Sequence, residues 1–174
     1  MAHYIITAFG EDRPGIVAKV TKILYENGFN IEDSSMTRLN NEFTIMLIVK
    51  GENGESLKTN FENLEKNENL TISIKEIPED IFYKEDKRYK TILNIVVYGA
   101  DRPGIVYNVS QTLADLNINI SDLRTEKTPD LYIMFIEAEI PKDTQLEEIQ
   151  NRIDRLKESL KVDISVNPVE EAEL

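Results

Sequence analysis

An α+β fold built from two copies of one βαββαβ module is what the 174 residues predict. Three observations carry that reading. Gly10-Glu11-Asp12-Arg13-Pro14-Gly15-Ile16-Val17 is answered by Gly99-Ala100-Asp101-Arg102-Pro103-Gly104-Ile105-Val106, with seven of eight positions agreeing. Gly and Pro each make up only about 5 to 7% of average composition, so the agreement is not an accident of usage. The same offset of 89 persists through Val20 and Val109, Leu24 and Leu113, Asn30-Ile31 and Asn119-Ile120, Asp33 and Asp122, and Leu57 and Leu146. Finally, apolar residues recur at period two, then at three and four, in the same order along each half.

Each element follows from its residues. Residues 3 to 9 and 91 to 98 read as strands, with Tyr4, Ile6 and Ala8, and Leu93, Ile95 and Val97, on one face. A helix follows, carrying Ile16, Val20, Ile23 and Leu24, or Ile105, Val109 and Leu113. It begins at Asp-Arg-Pro-Gly, where Asp12 or Arg13 is expected as the cap and Pro suits the first turn. It ends near Gly28, whose counterpart Asn117 also tolerates the left-handed conformation. Strands are expected around 30 to 39 and 42 to 50, joined by Asn40-Asn41, and around 119 to 127 and 131 to 140, joined through Pro129-Asp130. A second helix carries Leu57, Phe61 and Leu64, or Leu146, Ile149, Ile153, Leu156 and Leu160, and a last alternating strand closes each unit. Leu70, Ile72 and Ile74 align with Val162, Ile164 and Val166, which places a three-residue insertion in the second copy's last helix or the turn after it. The two helices should lie on one face of a four-stranded antiparallel sheet, the split βαβ or ferredoxin-like arrangement. The expected modules are 1–78 and 91–174, with the charged stretch 79–90 as linker.

Composition narrows the function. With 41% hydrophobic and 30% charged residues the chain can bury two cores. Neither a membrane-length apolar run nor a signal peptide is present, so a cytoplasmic location is expected. No cysteine is available for disulfides, thiolate nucleophiles or thiolate metal sites. A net charge of −12 without a dense Lys/Arg run argues against direct nucleic-acid binding.

The βαββαβ order, with Asp-Arg-Pro-Gly-Ile-Val after the first strand and Asn-Ile after the first helix, resembles the ACT domain. Two copies without a catalytic domain resemble the glycine cleavage system transcriptional repressor family and its stand-alone tandem relatives. The resemblance implies a small amino acid bound where the loop and helix start of one module face a neighbouring module, with the Asn-Ile segment contributing from across the interface. Position by position it implicates Asp12, Arg13, Pro14, Gly15 and Asn30, and Asp101, Arg102, Pro103, Gly104 and Asn119. The chemistry is suitable: uncapped N–H groups at a helix start receive a carboxylate, and Gly admits close approach. A side-chain amide offers both donor and acceptor.

Other readings of the same residues stand beside this one. Asp12 and Asp101 read as helix caps in preference to ligand contacts. Arg13 and Arg102 can be solvated, Asn30 and Asn119 can be simple turn residues, and Gly15 and Gly104 imply close approach to a ligand or to a strand. An enzyme is not expected, nor a cofactor or metal site. The one histidine, His3, has no partner histidine or cysteine and reads as a surface residue. Glycine-rich phosphate loops are missing, including that of acylphosphatases, which share the element order. The leading expectation is an amino-acid-responsive regulator acting on a partner protein, a transcription factor or a metabolic enzyme. The alternative is a ligand-free interaction module that oligomerises through its sheets. Exposed sheet edges predict a homodimer in either case. The copies differ near the site: Glu11 corresponds to Ala100, and Ser34-Ser35 to Leu123-Arg124, so one functional and one structural copy is a further expectation.

Overall fold

Each half of the chain folds as its alternating periods predict. The computed structural model describes residues 1–78, 89–129, 131–141 and 144–169. The first half contains β1 (Ala2–Glu11), α1 (Ile16–Glu26), β2 (Asn30–Leu39), β3 (Glu42–Gly51), α2 (Gly54–Glu68) and β4 (Thr71–Ile77). The second contains β5 (Tyr89–Gly99), α3 (Ile105–Asp115), β6 (Asn119–Lys127), β7 (Tyr132–Pro141), α4 (Leu146–Leu160) and β8 (Asp163–Pro168). The strands run in the order β2-β3-β1-β4 and β6-β7-β5-β8, every neighbouring pair antiparallel. The units are Met1–Glu85 and Asp86–Leu174. β5 begins inside the expected linker 79–90; the remainder of that stretch, 79–88, lies outside the described residues.

Period two decides which strand residues are buried. Tyr4, Ile6 and Ala8 of β1 and Phe43, Ile45, Leu47 and Val49 of β3 point inward. They meet Ile16, Val20 and Leu24 of α1 and Leu57 and Phe61 of α2 in one cluster. Leu93, Ile95 and Val97 of β5 do the same with Ile105, Val109 and Leu113 of α3 and Ile149, Ile153 and Leu156 of α4. Each cluster draws all its residues from one unit. Burying a side chain of this size contributes about 1.5 to 3 kcal/mol, and both helices of a unit obtain it only from the same sheet face.

The helix ends repeat one device. The backbone N–H of Phe29 donates to the carbonyl of Leu24 at 2.9 Å, past Gly28 at φ 72°, and Ile118 donates to Leu113 at 3.0 Å, past Asn117 at φ 56°. Both satisfy a terminal carbonyl with a 6→1 bond while seating a buried apolar residue, which is why Gly and Asn interchange there. At the first hairpin Asn40 takes φ 55°. In the second hairpin Asp130 lies outside the described residues, and Thr128 closes the turn through a backbone bond of 2.8 Å to the Leu131 carbonyl.

The three-residue insertion lies elsewhere than expected. β-strand register keeps the offset of 89 from Gly10 and Phe43 to Gly99 and Tyr132. The second helix, however, starts at Gly54 in one copy and Leu146 in the other. The extra residues therefore lie before α4, between β7 and the helix. The true counterpart of Leu57 is Ile149, both buried, whereas Leu146 is 56% exposed. A helical stripe tolerates a three-residue slip because i+3 falls on the same face, so sequence spacing alone misplaced it.

Both edge strands also share a bulge, between Ile31 and Asp33 and between Ile120 and Asp122. The bulged residue has no cross-strand partner, which frees its side chain. Glu32 uses that freedom to bring its carboxylate 3.0 Å from Nε2 of His3. Hence His3 is not the surface residue expected: only 1% of it is exposed. Ser121, its positional counterpart to Glu32, donates to the Glu137 carbonyl at 3.2 Å and Oε1 at 3.0 Å.

Candidate functional site: the two Asp-Arg-Pro-Gly loops

The loop between β1 and α1 turns sharply at Pro14-Gly15. Gly15 has φ 86° and is the N-cap residue; Gly104 has φ 94° in the same place. A side chain with a Cβ is strained in this left-handed region, so the backbone itself explains the glycines. The helix start consequently differs from the one expected. Neither Asp12 nor Arg13 caps it, and no side chain caps α1 or α3 or places an acid in their first turns. The left-handed Gly turns the preceding chain away from the helix axis, carrying the Asp carboxylate out of reach. The N-terminal ends of α1 and α3, which carry partial positive charge, thus have no acidic side chain of their own.

The two aspartates do a different job. Arg38 Nη1 donates to Asp12 Oδ2 at 3.3 Å, and Lys127 Nζ to Asp101 Oδ2 at 2.5 Å. Arg38 and Lys127 are separated by the repeat offset, so the ion pair is duplicated and ties each loop to the end of its β2-β3 or β6-β7 hairpin. The Asp12 N–H strengthens the tie by donating to the Asn41 carbonyl at 2.7 Å. That both copies keep a base at this position was visible in the sequence; only the register made its meaning readable.

The arginines are not equivalent. Arg13 Nη2 donates to the carbonyl and to Oε2 of Glu68, each at 2.6 Å, and Lys19 Nζ donates to Oε1 of the same carboxylate at 2.6 Å. The Lys19 hydrogen bond, with the nearby charges of Lys19 and Arg13, holds the Glu68 carboxyl below the usual glutamate range against partial desolvation. In the second module the equivalent positions hold Leu160 and Asn108. Arg102 is exposed and forms no hydrogen bond or ion pair among the described residues. Asn108 instead returns its Nδ2 to the Gly104 carbonyl at 2.8 Å. Pro14 and Pro103 are exposed and complete the turns.

Asn30 and Asn119 lie far from the loop of their own module. Asn30 stands opposite Lys50, itself opposite His3, while the loop leaves β1 after Glu11. Eight strand residues at about 3.3 Å each separate them by roughly 26 Å. Asn119 stands opposite Glu139, and its loop leaves β5 after Gly99, opposite Tyr132, roughly 23 Å away by the same rise. No single module brings its loop and its Asn onto one small molecule. Asn30 lines an open cleft of 510 Å³ with Thr21, Lys22, Tyr25 and Phe29. Asn119 Nδ2 donates to Glu139 Oε2 at 2.8 Å. Among the described residues no group of three or more metal-ligating side chains occurs, and no helix is long and apolar enough to cross a membrane.

Comparison with known proteins agrees with this architecture. The ACT domain family matches the chain twice, over residues 2–75 and 86–163. The glycine cleavage system transcriptional repressor of Escherichia coli (strain K12) is 48% identical over 50 residues, which is 28% of this chain and 26% of the repressor. The match therefore spans about a quarter of that relative's length. A UPF0237 protein of Methanocaldococcus jannaschii is 36% identical over 87 residues, covering 47% of this chain and 93% of the relative. The crystal structure of an unknown protein from Galdieria sulphuraria superposes with a TM-score of 0.80 at 25% identity, over 97% of this chain and 99% of that one. With both halves matched and the βαββαβ order present twice, the chain belongs to the ACT domain family, as two ACT domains in tandem.

Proposed function

We propose that the protein is a non-catalytic regulator that binds a small amino acid at an Asp-Arg-Pro-Gly loop facing a neighbouring module and passes that occupancy to a partner protein. One observation carries the reading: in both modules a left-handed Gly delivers an uncapped helix N-terminus, with an arginine two residues before it. Such an end receives a carboxylate through backbone N–H groups and the helix dipole. The ligand-binding residues are Asp12 to Gly15 or Asp101 to Gly104, with Asn30 or Asn119 supplied by another module, and the aspartates position the loop. The distance between loop and Asn within one module supports a site shared between modules.

The named relative directs the choice of first ligand and process: glycine, and transcriptional control of amino-acid metabolism. At a net charge of −12, any effect on transcription runs through contact with a transcription factor, and a metabolic enzyme is the other partner of suitable kind. Modules 1–78 and 91–174, a homodimer and a cytoplasmic location belong to the same proposal. Isothermal titration calorimetry with glycine, serine and the branched-chain amino acids tests it, repeated on Gly15→Ala and Gly104→Ala. Saturable heat that one variant loses supports the sensor and locates it. Absence of heat with every ligand favours the ligand-free interaction module, for which the exposure of all ten residues of β2 speaks.

A further inference from the structure

We infer that Glu68 is a built-in counter-anion that keeps the first module's loop closed, so that the second module's loop, at Arg102, is the one that takes a free carboxylate ligand. The inference rests on the amino-acid reading above and assigns it to one copy. Its basis is the geometry of three side chains at the end of α2 and the start of α1. Both oxygens of the Glu68 carboxylate are engaged, one by Arg13 and one by Lys19, and Arg13 also holds the Glu68 carbonyl. A carboxylate bound by two cations beside a helix start already meets the charge requirement that a ligand carboxylate would meet. A ligand arriving at Arg13 must displace an internal carboxylate held at high effective concentration, which lowers its apparent affinity.

Among the described residues the second module has no equivalent cluster. The three residues are Arg102, Asn108 and Leu160, so one cation is retained while the second cation and the anion are both gone. The loop geometry is kept: Gly104 has φ 94°, against 86° for Gly15, and the Asp101–Lys127 pair repeats Asp12–Arg38. The substitutions thus remove the latch while sparing the scaffold. They leave an exposed guanidinium beside an uncapped helix N-terminus, the combination that favours a planar carboxylate.

The test is calorimetric stoichiometry on the full chain with glycine, serine, valine, leucine and isoleucine as probes. The wild type should bind one ligand per chain, and Arg102→Gln should weaken that binding more than tenfold. Glu68→Leu, which installs the second module's residue, should raise the stoichiometry to two. Adding Arg13→Gln to Glu68→Leu should return it to one. Circular dichroism checks that each variant remains folded. Two ligands per wild-type chain, retention of full affinity in Arg102→Gln, or a stoichiometry of one in Glu68→Leu overturns the assignment and leaves amino-acid binding intact. No heat from the wild type or any variant overturns the amino-acid reading itself.

Discussion

At Gly15 the added methyl of an alanine would meet nothing within 4 Å, so Gly15→Ala isolates the cost of a left-handed backbone from any clash. Denaturant unfolding should show a loss of about 1 to 2 kcal/mol, and Gly15→Asn a smaller one, because Asn tolerates that region. Gly104→Ala adds a contact of 3.2 Å with Asn108 Nδ2 and should cost somewhat more. A change indistinguishable from zero at Gly15 would refute the left-handed assignment. Glu68 provides a second handle, on pH. Its folded carboxyl titrates below its unfolded value of about 4.3, so its contribution is present above that value and is lost as pH falls through the depressed folded one. Between pH 5 and pH 3 the wild type should therefore lose more melting temperature than Glu68→Gln; equal losses would mean the cluster does not act in solution. Of these roles, the glycines stood out in the sequence but for another reason, close approach to a ligand or strand; at Gly15 a methyl would meet nothing within 4 Å, and the positive φ is what requires glycine. Glu68 was not legible: it is 55 residues from Arg13, among 32 acidic residues, and only the packing of α2 against α1 selects it.

Elements were legible where periodicity is long and illegible where two periods coincide. β1 and β5 bury alternate residues in the core, and those faces read directly from Tyr4-Ile6-Ala8 and Leu93-Ile95-Val97, whereas the buried His3 of β1 read as a surface residue. The start of α4 was misread because Leu146 and Ile149 share a helix face, and only the end of β7 distinguishes them. The correction is measurable. Leu146→Ala should change stability by less than about 0.5 kcal/mol, as an exposed position does, while Ile149→Ala should cost about 2 to 5 kcal/mol. The reverse ranking would restore the offset of 89 through the helix. The two helix starts make another pair. Asn53 accepts a hydrogen bond from the Ser56 N–H at 3.2 Å, whereas Gln145 makes no side-chain cap bond. Thermal unfolding should find Asn53→Ala destabilised by about 1 kcal/mol and Gln145→Asn stabilised by a similar amount; no gain from the latter would mean that the turn before α4 cannot place a short side chain over the helix.

For the whole molecule, duplication supplies two cores that share no residue. A chain of residues 1–78 produced alone should fold cooperatively, and Phe61→Ala in it should cost about 3 to 5 kcal/mol, since Phe61 is fully buried among α1, β1 and β3 residues. A fragment without a cooperative transition would mean that the first core depends on the second half. Light scattering of the full chain should return twice the chain mass of 20.0 kDa; a monomer at micromolar concentration would remove the homodimer from the proposal. The placement of each Asn at the far end of the sheet from its own loop has a thermodynamic corollary. If the proposed ligand is held by the loop of one module and the Asn of another, a module in isolation offers it only part of its contacts, so occupancy and the association of modules are linked equilibria. Whatever factor the ligand adds to the association constant between modules, association adds to the affinity for the ligand, and a partner that separates the modules expels the ligand by the same factor.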